Sequence, residues 1–204
     1  EGHDACRKIC IISSLVFGKH VYPKSVYTKG ISQVQLCDVA AADVLGYAIK
    51  LVASVTKLDN GKILPCVMPT LVSYDNIMSG VNDVFNAVLV YGDGVDQTMF
   101  YGRGAGKLPT ASAVLGDVIE TAKANGTVIS QTWEASDDDS FIEDSDSLRS
   151  CWYFRVPADA DIDMGGTYTH EDGISYVTDK EMTFAEAKAE AEKVGALAFM
   201  PVME

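Results

Sequence analysis

The sequence predicts an α+β chain: a mixed sheet, mostly hairpin-linked and covered by helices on one face, followed by a small α+β module. Three observations predict it. Two pairs of β-like runs are joined by hairpin turns, 48–58 to 63–74 through Asp59-Asn60-Gly61 and 82–91 to 97–101 through Gly92-Asp93-Gly94. Segments with helical spacing lie before and after these pairs. The charge is also uneven: residues 1–124 hold 11 Lys/Arg and 11 Asp/Glu, whereas 125–204 hold 5 and 18, which is the whole net charge of −13. That shift places a boundary near Ala124-Asn125-Gly126, an acidic linker over 125–146 and the tail module over 147–204.

Residues 4–17 are largely apolar and end at Gly18, the pattern of a mostly buried helix with Asp4 as N-cap and Gly18 as its left-handed terminator. A connector containing Tyr22-Pro23 and Gly30-Ile31 leads to a second, alanine-rich helix over 36–46 with Asp38 near its start. The two hairpins follow. A helix over 109–124 closes this part, with Pro109 as its first residue and Ala111, Val114, Leu115, Val118, Ile119 and Ala122 forming an apolar stripe. The sheet face opposite the helices is left for a partner subunit. Asp137-Asp138-Asp139 through Asp146 reads as a solvated loop. In the tail, Trp152, Phe154 and Val156 alternate with Cys151, Tyr153 and Arg155 as in a half-buried strand; 174–178 and 198–202 are further strands. Thr183 and Glu186 form a capping box that opens a helix running to Gly195.

Net acidity excludes a nucleic-acid partner, because phosphate neutralisation needs clustered Lys/Arg. Neither a signal peptide nor an apolar run of about 18 residues is present, so no membrane association is expected. The five cysteines (Cys6, Cys10, Cys37, Cys66, Cys151) lack CxxC spacing, which indicates reduced thiols and a cytoplasmic protein. Cys6 and Cys10, one helical turn apart, are packing residues. His20 and His170 stand alone in loops, the methionines are core filler, and no metal site is expected. Asp161, Asp163, Glu171 and Asp172 lack the 12-residue pattern of a calcium loop. Lys50 either points into a cleft or is a salt-bridged structural lysine.

Two places carry candidate chemistry. The stretch Gly102-Arg103-Gly104-Ala105-Gly106-Lys107 joins a strand to a helix through three glycines. Such a turn lets the backbone approach a phosphate or sugar, with the N–H groups of the helix start aimed at it. A P-loop is excluded by Tyr101 and Leu108, and a dinucleotide fingerprint by Lys107, so the alternative is an ordinary tight turn. On the first helix, Asp4 and Lys8 are four residues apart with Arg7 and His3 nearby, hence on one face with Cβ atoms about 6 Å apart. They form either a surface ion pair or an acid/base lysine oriented by a carboxylate and facing a cleft.

Four segments occur together in order: His3-Asp4-Ala5-Cys6-Arg7-Lys8-Ile9, Gly46-Tyr47-Ala48-Ile49-Lys50-Leu51-Val52, Val81-Asn82-Asp83-Val84-Phe85-Asn86-Ala87-Val88, and the glycine turn with Pro109-Thr110-Ala111. Over residues 1–124 the chain resembles the catalytic and dimerisation part of homoserine dehydrogenase. The resemblance implies interconversion of homoserine and aspartate semialdehyde with NAD or NADP as cofactor, Lys8 as the acid/base, Asp4 binding the amino-acid substrate, Gly106 against the nicotinamide with Gly104 close by, and a homodimer through the sheet. That family's nucleotide-binding domain, a substrate-binding glutamate and a monovalent-cation site all precede these motifs and have no counterpart in this sequence. With Glu1 rather than methionine first, the chain reads as a fragment with half an active site, expected neither to bind NADP(H) with normal affinity nor to turn over. The tail resembles a reduced ACT-type regulatory module in which 158–172 is too short and too rich in Asp and Gly for the first helix. It serves either as a ligand-binding module or as a dimerisation appendage. Two rival functions are an amino-acid sensor and a purely structural oligomerisation domain.

Overall fold

The computed structural model describes residues 1–127, 133–136, 138–160 and 167–204. The chain forms α1 (His3–Phe17), β1 (Tyr27–Thr28), α2 (Leu36–Val44), β2 (Tyr47–Lys57), β3 (Ile63–Ser73), β4 (Phe85–Gly92), β5 (Asp96–Arg103), α3 (Lys107–Lys123), β6 (Arg149–Ser150), β7 (Trp152–Val156), β8 (Tyr168–His170), β9 (Gly173–Val177), β10 (Met182–Thr183), α4 (Phe184–Lys193) and β11 (Ala198–Met203). Two compact units result, Glu1–Asn76 with Thr132–Glu204, and Ile77–Gln131. Backbone contact thus divides the chain differently from its charge: the tail completes the sheet begun by the first 76 residues.

In the larger unit β3 is the central strand. On one edge β2 pairs with it antiparallel along its whole length, from Tyr47↔Ser73 to Lys57↔Ile63. The Asn60 carboxamide oxygen accepts from the Lys62 N–H at the turn, and Gly61 takes φ +80°. On the other edge lie two parallel strands, β1 at Cys66–Val67 and β11 at Leu71–Val72. The Val67 carbonyl accepts from Lys29 N–H at 2.8 Å, so odd-numbered residues of β3 address this second edge. Pro65 and Pro69 share that orientation and fall outside the paired positions, where no backbone donor is required. Beyond β11 the sheet continues antiparallel through β7, β9 and β8.

Helices α1 and α2 cover one face. Cys6, Ile9 and Cys10 pack on Ile63 and Val67, and Ala41 and Ala42 on Leu71, Tyr153 and Met200. On the opposite face Phe184, Ala187 and Ala191 of α4 pack with Leu64, Cys66, Met68, Trp152 and Phe154. Because both faces are covered, every residue of β7 is buried. The half-buried strand expected at Trp152–Val156 is therefore a core strand, and Arg155 is only 4% exposed.

A buried polar network makes that possible. Asp38, fully buried at the third position of α2, accepts from the backbone N–H of Gln35 (2.9 Å), from Arg155 Nε (2.7 Å) and from the Tyr153 hydroxyl (3.0 Å). Arg155 Nη2 also donates to the Gln35 side-chain oxygen at 2.9 Å. With its proton committed to Asp38, the Tyr153 oxygen accepts from Ser175 (2.9 Å), and Ser175 accepts from His170 Nε2 (3.0 Å). His170 Nδ1 accepts the Asp172 N–H, which sets this tautomer. His170 is therefore not the isolated loop residue expected from the sequence. Burial, together with the Asp38 charge, pushes the Tyr153 phenol well above its ordinary range. For Arg155 burial opposes the charge, but the Asp38 carboxylate more than offsets it and holds the guanidinium above its usual range.

The described part of the acidic stretch is a strap laid on this unit rather than a solvated loop. Glu134 exchanges backbone hydrogen bonds with Gly18 and His20, and Ile63 bonds both Phe141 and Glu143. Asp139 accepts from Ser25 at 2.6 Å, and Glu143 from Asn60 at 2.9 Å. His20 accepts from Trp133 Nε1 at 2.6 Å and packs against Tyr22, so it too has structural partners. Asp137, Asp161 and Asp163 lie outside the described residues. The tail helix begins with the expected capping box, Thr183 N–H to Glu186 at 2.7 Å and Glu186 N–H to Thr183 Oγ1 at 3.2 Å.

The smaller unit holds the β4–β5 hairpin, in register from Phe85↔Arg103 to Gly92↔Asp96, and α3. Helix α3 starts two residues before Pro109, with Gly106 as its N-cap, so the proline occupies the third helical position, where its missing N–H still costs no helical bond. The apolar stripe of Val114, Leu115, Val118 and Ile119 is half exposed or more.

Two measurements follow from this packing. Arg155→Met leaves the Asp38 carboxylate buried and unpaired, and urea unfolding should show a loss of about 3–5 kcal/mol. The same change made with Asp38→Leu should recover most of it; equal losses in the single and double variants would contradict the network. At Gly173, φ is +137° and a Cβ would lie 2.1 Å from the Val156 carbonyl oxygen. Gly173→Ala should therefore cost at least about 2 kcal/mol in the same experiment.

Candidate functional site

The first candidate site is the opening of α1. Gly2 is the N-cap, in the left-handed region, so Asp4 is not the cap residue but lies inside the first turn. There its charge complements the partial positive charge of the helix start. The 3.6-residue period brings Lys8 one turn later onto the same face, with Nζ 2.8 Å from the Asp4 carboxylate. Both side chains are exposed, 63% for Lys8 and 80% for Asp4. Among the described residues none encloses the pair in the expected cleft. His3 Nε2 lies 3.5 Å from the carboxylate of Glu1, which precedes the helix. The opposite face of the helix is the buried one, held by Cys6, Ile9 and Cys10. Burial and the adjacent Cys6 push the Cys10 thiol up to about 12, which makes it an inert packing group.

The second candidate is the turn between β5 and α3. Gly106 combines φ +122° with ψ 157°, a conformation open essentially to glycine alone, and a Cβ there would meet only Pro109 at an ordinary 3.5 Å. Its backbone is exposed, so a flat group can lie directly on it. Gly104 differs: the place of a Cβ is taken by the Asn86 side chain, 2.3 Å from Nδ2. Asn86 thus accounts for glycine at 104 within the hairpin, while Phe85 stacks on Tyr101 at 4.9 Å and Arg103 lies over the Phe85 ring. Asp4 and Lys8 meet in the larger unit, and Gly104 and Gly106 lie in the smaller one.

A cavity of about 350 Å³ in the larger unit is lined by Leu45, Tyr47, Cys151, Val177, Asp179 and Glu204, with the Tyr47 hydroxyl 3.2 Å from the Glu204 carboxylate. None of the residues singled out for chemistry lines it. Among the described residues no group of three His, Cys, Asp or Glu is placed to hold a metal ion, and no helix is long and apolar enough to cross a membrane. The five cysteines are free thiols.

Comparison with known proteins places the chain among its relatives. The family model for homoserine dehydrogenase matches residues 1–119. The homoserine dehydrogenase of Pseudomonas aeruginosa is 43% identical over 124 residues, 61% of this chain and 28% of that protein. That of Synechocystis is 48% identical over 122 residues, 58% and 28% of the two chains. The crystal structure of a homoserine dehydrogenase from Thiobacillus denitrificans superposes with a TM-score of 0.81 at 27% identity, covering 100% of this chain and 53% of that one. A homoserine dehydrogenase structure from S. aureus gives a TM-score of 0.74 at 29% identity. The likeness in structure therefore extends over residues 120–204, which the family model does not match. The present chain spans about a quarter of the curated relatives' length and about half of these solved structures. This chain belongs to the homoserine dehydrogenase family.

Proposed function

We propose that this chain provides the acid/base and dimerisation half of an enzyme that interconverts homoserine and aspartate semialdehyde. The observation that carries the reading is the pairing of Lys8 with Asp4 at 2.8 Å on the exposed first turns of α1, within the matched residues 1–119. Oxidation of a carbinol requires its hydroxyl proton to be taken as hydride leaves the carbon. Lys8, as the amine, takes that proton and, as the ammonium, returns it in the reverse direction. Asp4 offers a carboxylate to the substrate's ammonium group and holds Lys8 on the same helix face. When bound, NAD or NADP supplies the hydride acceptor or donor. Gly106, with its exposed backbone and no side chain, is the contact for the nicotinamide, and Gly104, seated against Asn86, lies close by.

Residues 1–124 form the catalytic and dimerisation part in this reading, 125–146 the acidic connection, and 147–204 a reduced ACT-like module. The sheet face expected to be open is covered by α4, so a homodimer through the sheet would form at β2, which pairs only with β3 among the described strands and has nine of its eleven residues half-buried. The free thiols suit a cytoplasmic enzyme.

The test joins this chain to the nucleotide-binding half of the enzyme and measures homoserine oxidation with NAD and NADP. Lys8→Ala should lower kcat by about 10²–10⁴-fold, the range of a general acid/base, with little change in cofactor KM. Full activity in Lys8→Ala would overturn the assignment.

A further inference from the structure

We infer that Gly2 and Gly30 are positioning residues for the acid/base pair: without side chains they let the segment entering α1 lie against the loop after β1, and that contact sets where the first turn of α1 stands. The inference rests on the reading of Lys8 and Asp4 above and adds two residues to it that neither touch substrate nor carry chemistry.

Gly30 follows β1, which is held on β3 by the register Tyr27↔Cys66 and Thr28↔Val67. The Lys29 N–H continues the pairing by donating to Val67 at 2.8 Å, so the backbone entering Gly30 is tied to the sheet. A Cβ on Gly30 would fall 2.5 Å from Glu1 Cα, 2.6 Å from its carbonyl carbon and 2.8 Å from its oxygen. All three are backbone atoms and cannot rotate away. Carbons in contact settle near 3.5 Å, so a methyl group here must drive the two segments apart by about 1 Å.

Gly2 meets the same loop from the other side. It is buried, has φ +85°, and its Cβ would lie 2.9 Å from Thr28 Cγ2 and 3.6 Å from Gly30 Cα. Its carbonyl accepts the Cys6 N–H at 2.8 Å, an opening hydrogen bond of α1. The loop fixed to the sheet therefore touches the residue that starts the helix; Asp4 stands two residues further on and Lys8 one turn beyond. Displacing a proton-transfer group by about 1 Å costs on the order of a hundredfold in rate. Gly18, at the other end of α1, supplies the contrast. It has φ +73° but nothing within 4 Å of its Cβ, so alanine there brings strain without displacement.

The experiment uses the full-length enzyme assembled as above. Gly30→Ala should lower kcat by about 10–100-fold, leave cofactor KM unchanged and raise the solvent deuterium isotope effect on kcat, because proton transfer becomes slower. Gly18→Ala should lower the thermal midpoint yet leave kcat and the isotope effect alone. Thr28→Ser removes the methyl that crowds Gly2 and should restore part of the kcat lost in Gly2→Ala; this pair decides the matter if Gly30→Ala does not fold. Losses in Gly30→Ala and Gly18→Ala that merely track stability, with an unchanged isotope effect, would overturn the inference, as would an absence of rescue by Thr28→Ser. A wild-type enzyme without activity would instead refute the proposed reaction. The amide shifts of Asp4–Lys8 in the present chain then serve as readout: displacement in Gly30→Ala but not in Gly18→Ala supports the positioning contact, and no displacement refutes it.

Discussion

Arg155 and Asp38 are 117 residues apart in sequence, and the larger unit depends on their meeting. A carboxylate removed from water is tolerable only with its acceptor sites filled. Asp38 achieves this with one donor from its own helix start and with the side chains of two β7 residues, Tyr153 and Arg155. An arginine in the middle of a core strand is equally costly without such a partner. Each group is thus the condition for burying the other, and removing either one leaves an uncompensated buried charge.

The sheet topology has the same long-range character. β3 takes β2 from its own hairpin on one edge and β1 with β11, from the end of the chain, on the other, so the tail continues the sheet. Charge density is a poor guide to such a division. Acidic residues of the strap find Ser25, Lys24, Asn60, Lys62 and Lys188 on the unit they cross. Composition records the excess of carboxylates but not the cations and donors that meet them.

What the sequence made visible was local. Asp59-Asn60-Gly61, the Thr183/Glu186 capping box and the four-residue spacing of Asp4 and Lys8 involve neighbours within a turn, and each has its expected geometry. Cys6 and Cys10, one turn apart, are core residues as expected, whereas Ile11, Leu15 and Val16 are exposed, so α1 buries one face rather than most of its surface. What stayed hidden depends on a distant partner. Arg155 alternates with apolar residues as a solvent-facing position would, and only the second covered face of β7 buries it. Asp38 at a helix start looks the same whether it caps in water or in a core. Gly30 carries no sign that Glu1 occupies the space of its missing side chain. His170 gains its role from Ser175 across a hairpin that the Asp- and Gly-rich stretch before it obscured.

Native-state amide hydrogen exchange tests most directly whether the first 76 residues and the tail fold as one body. Opening free energies read at Val67 in β3, Tyr153 in β7 and Met200 in β11 should coincide and equal the global unfolding free energy. If β7, β9 and β11 open together at a lower free energy while β2 and β3 stay protected, the tail is an independent module and the shared sheet does not unite the two segments.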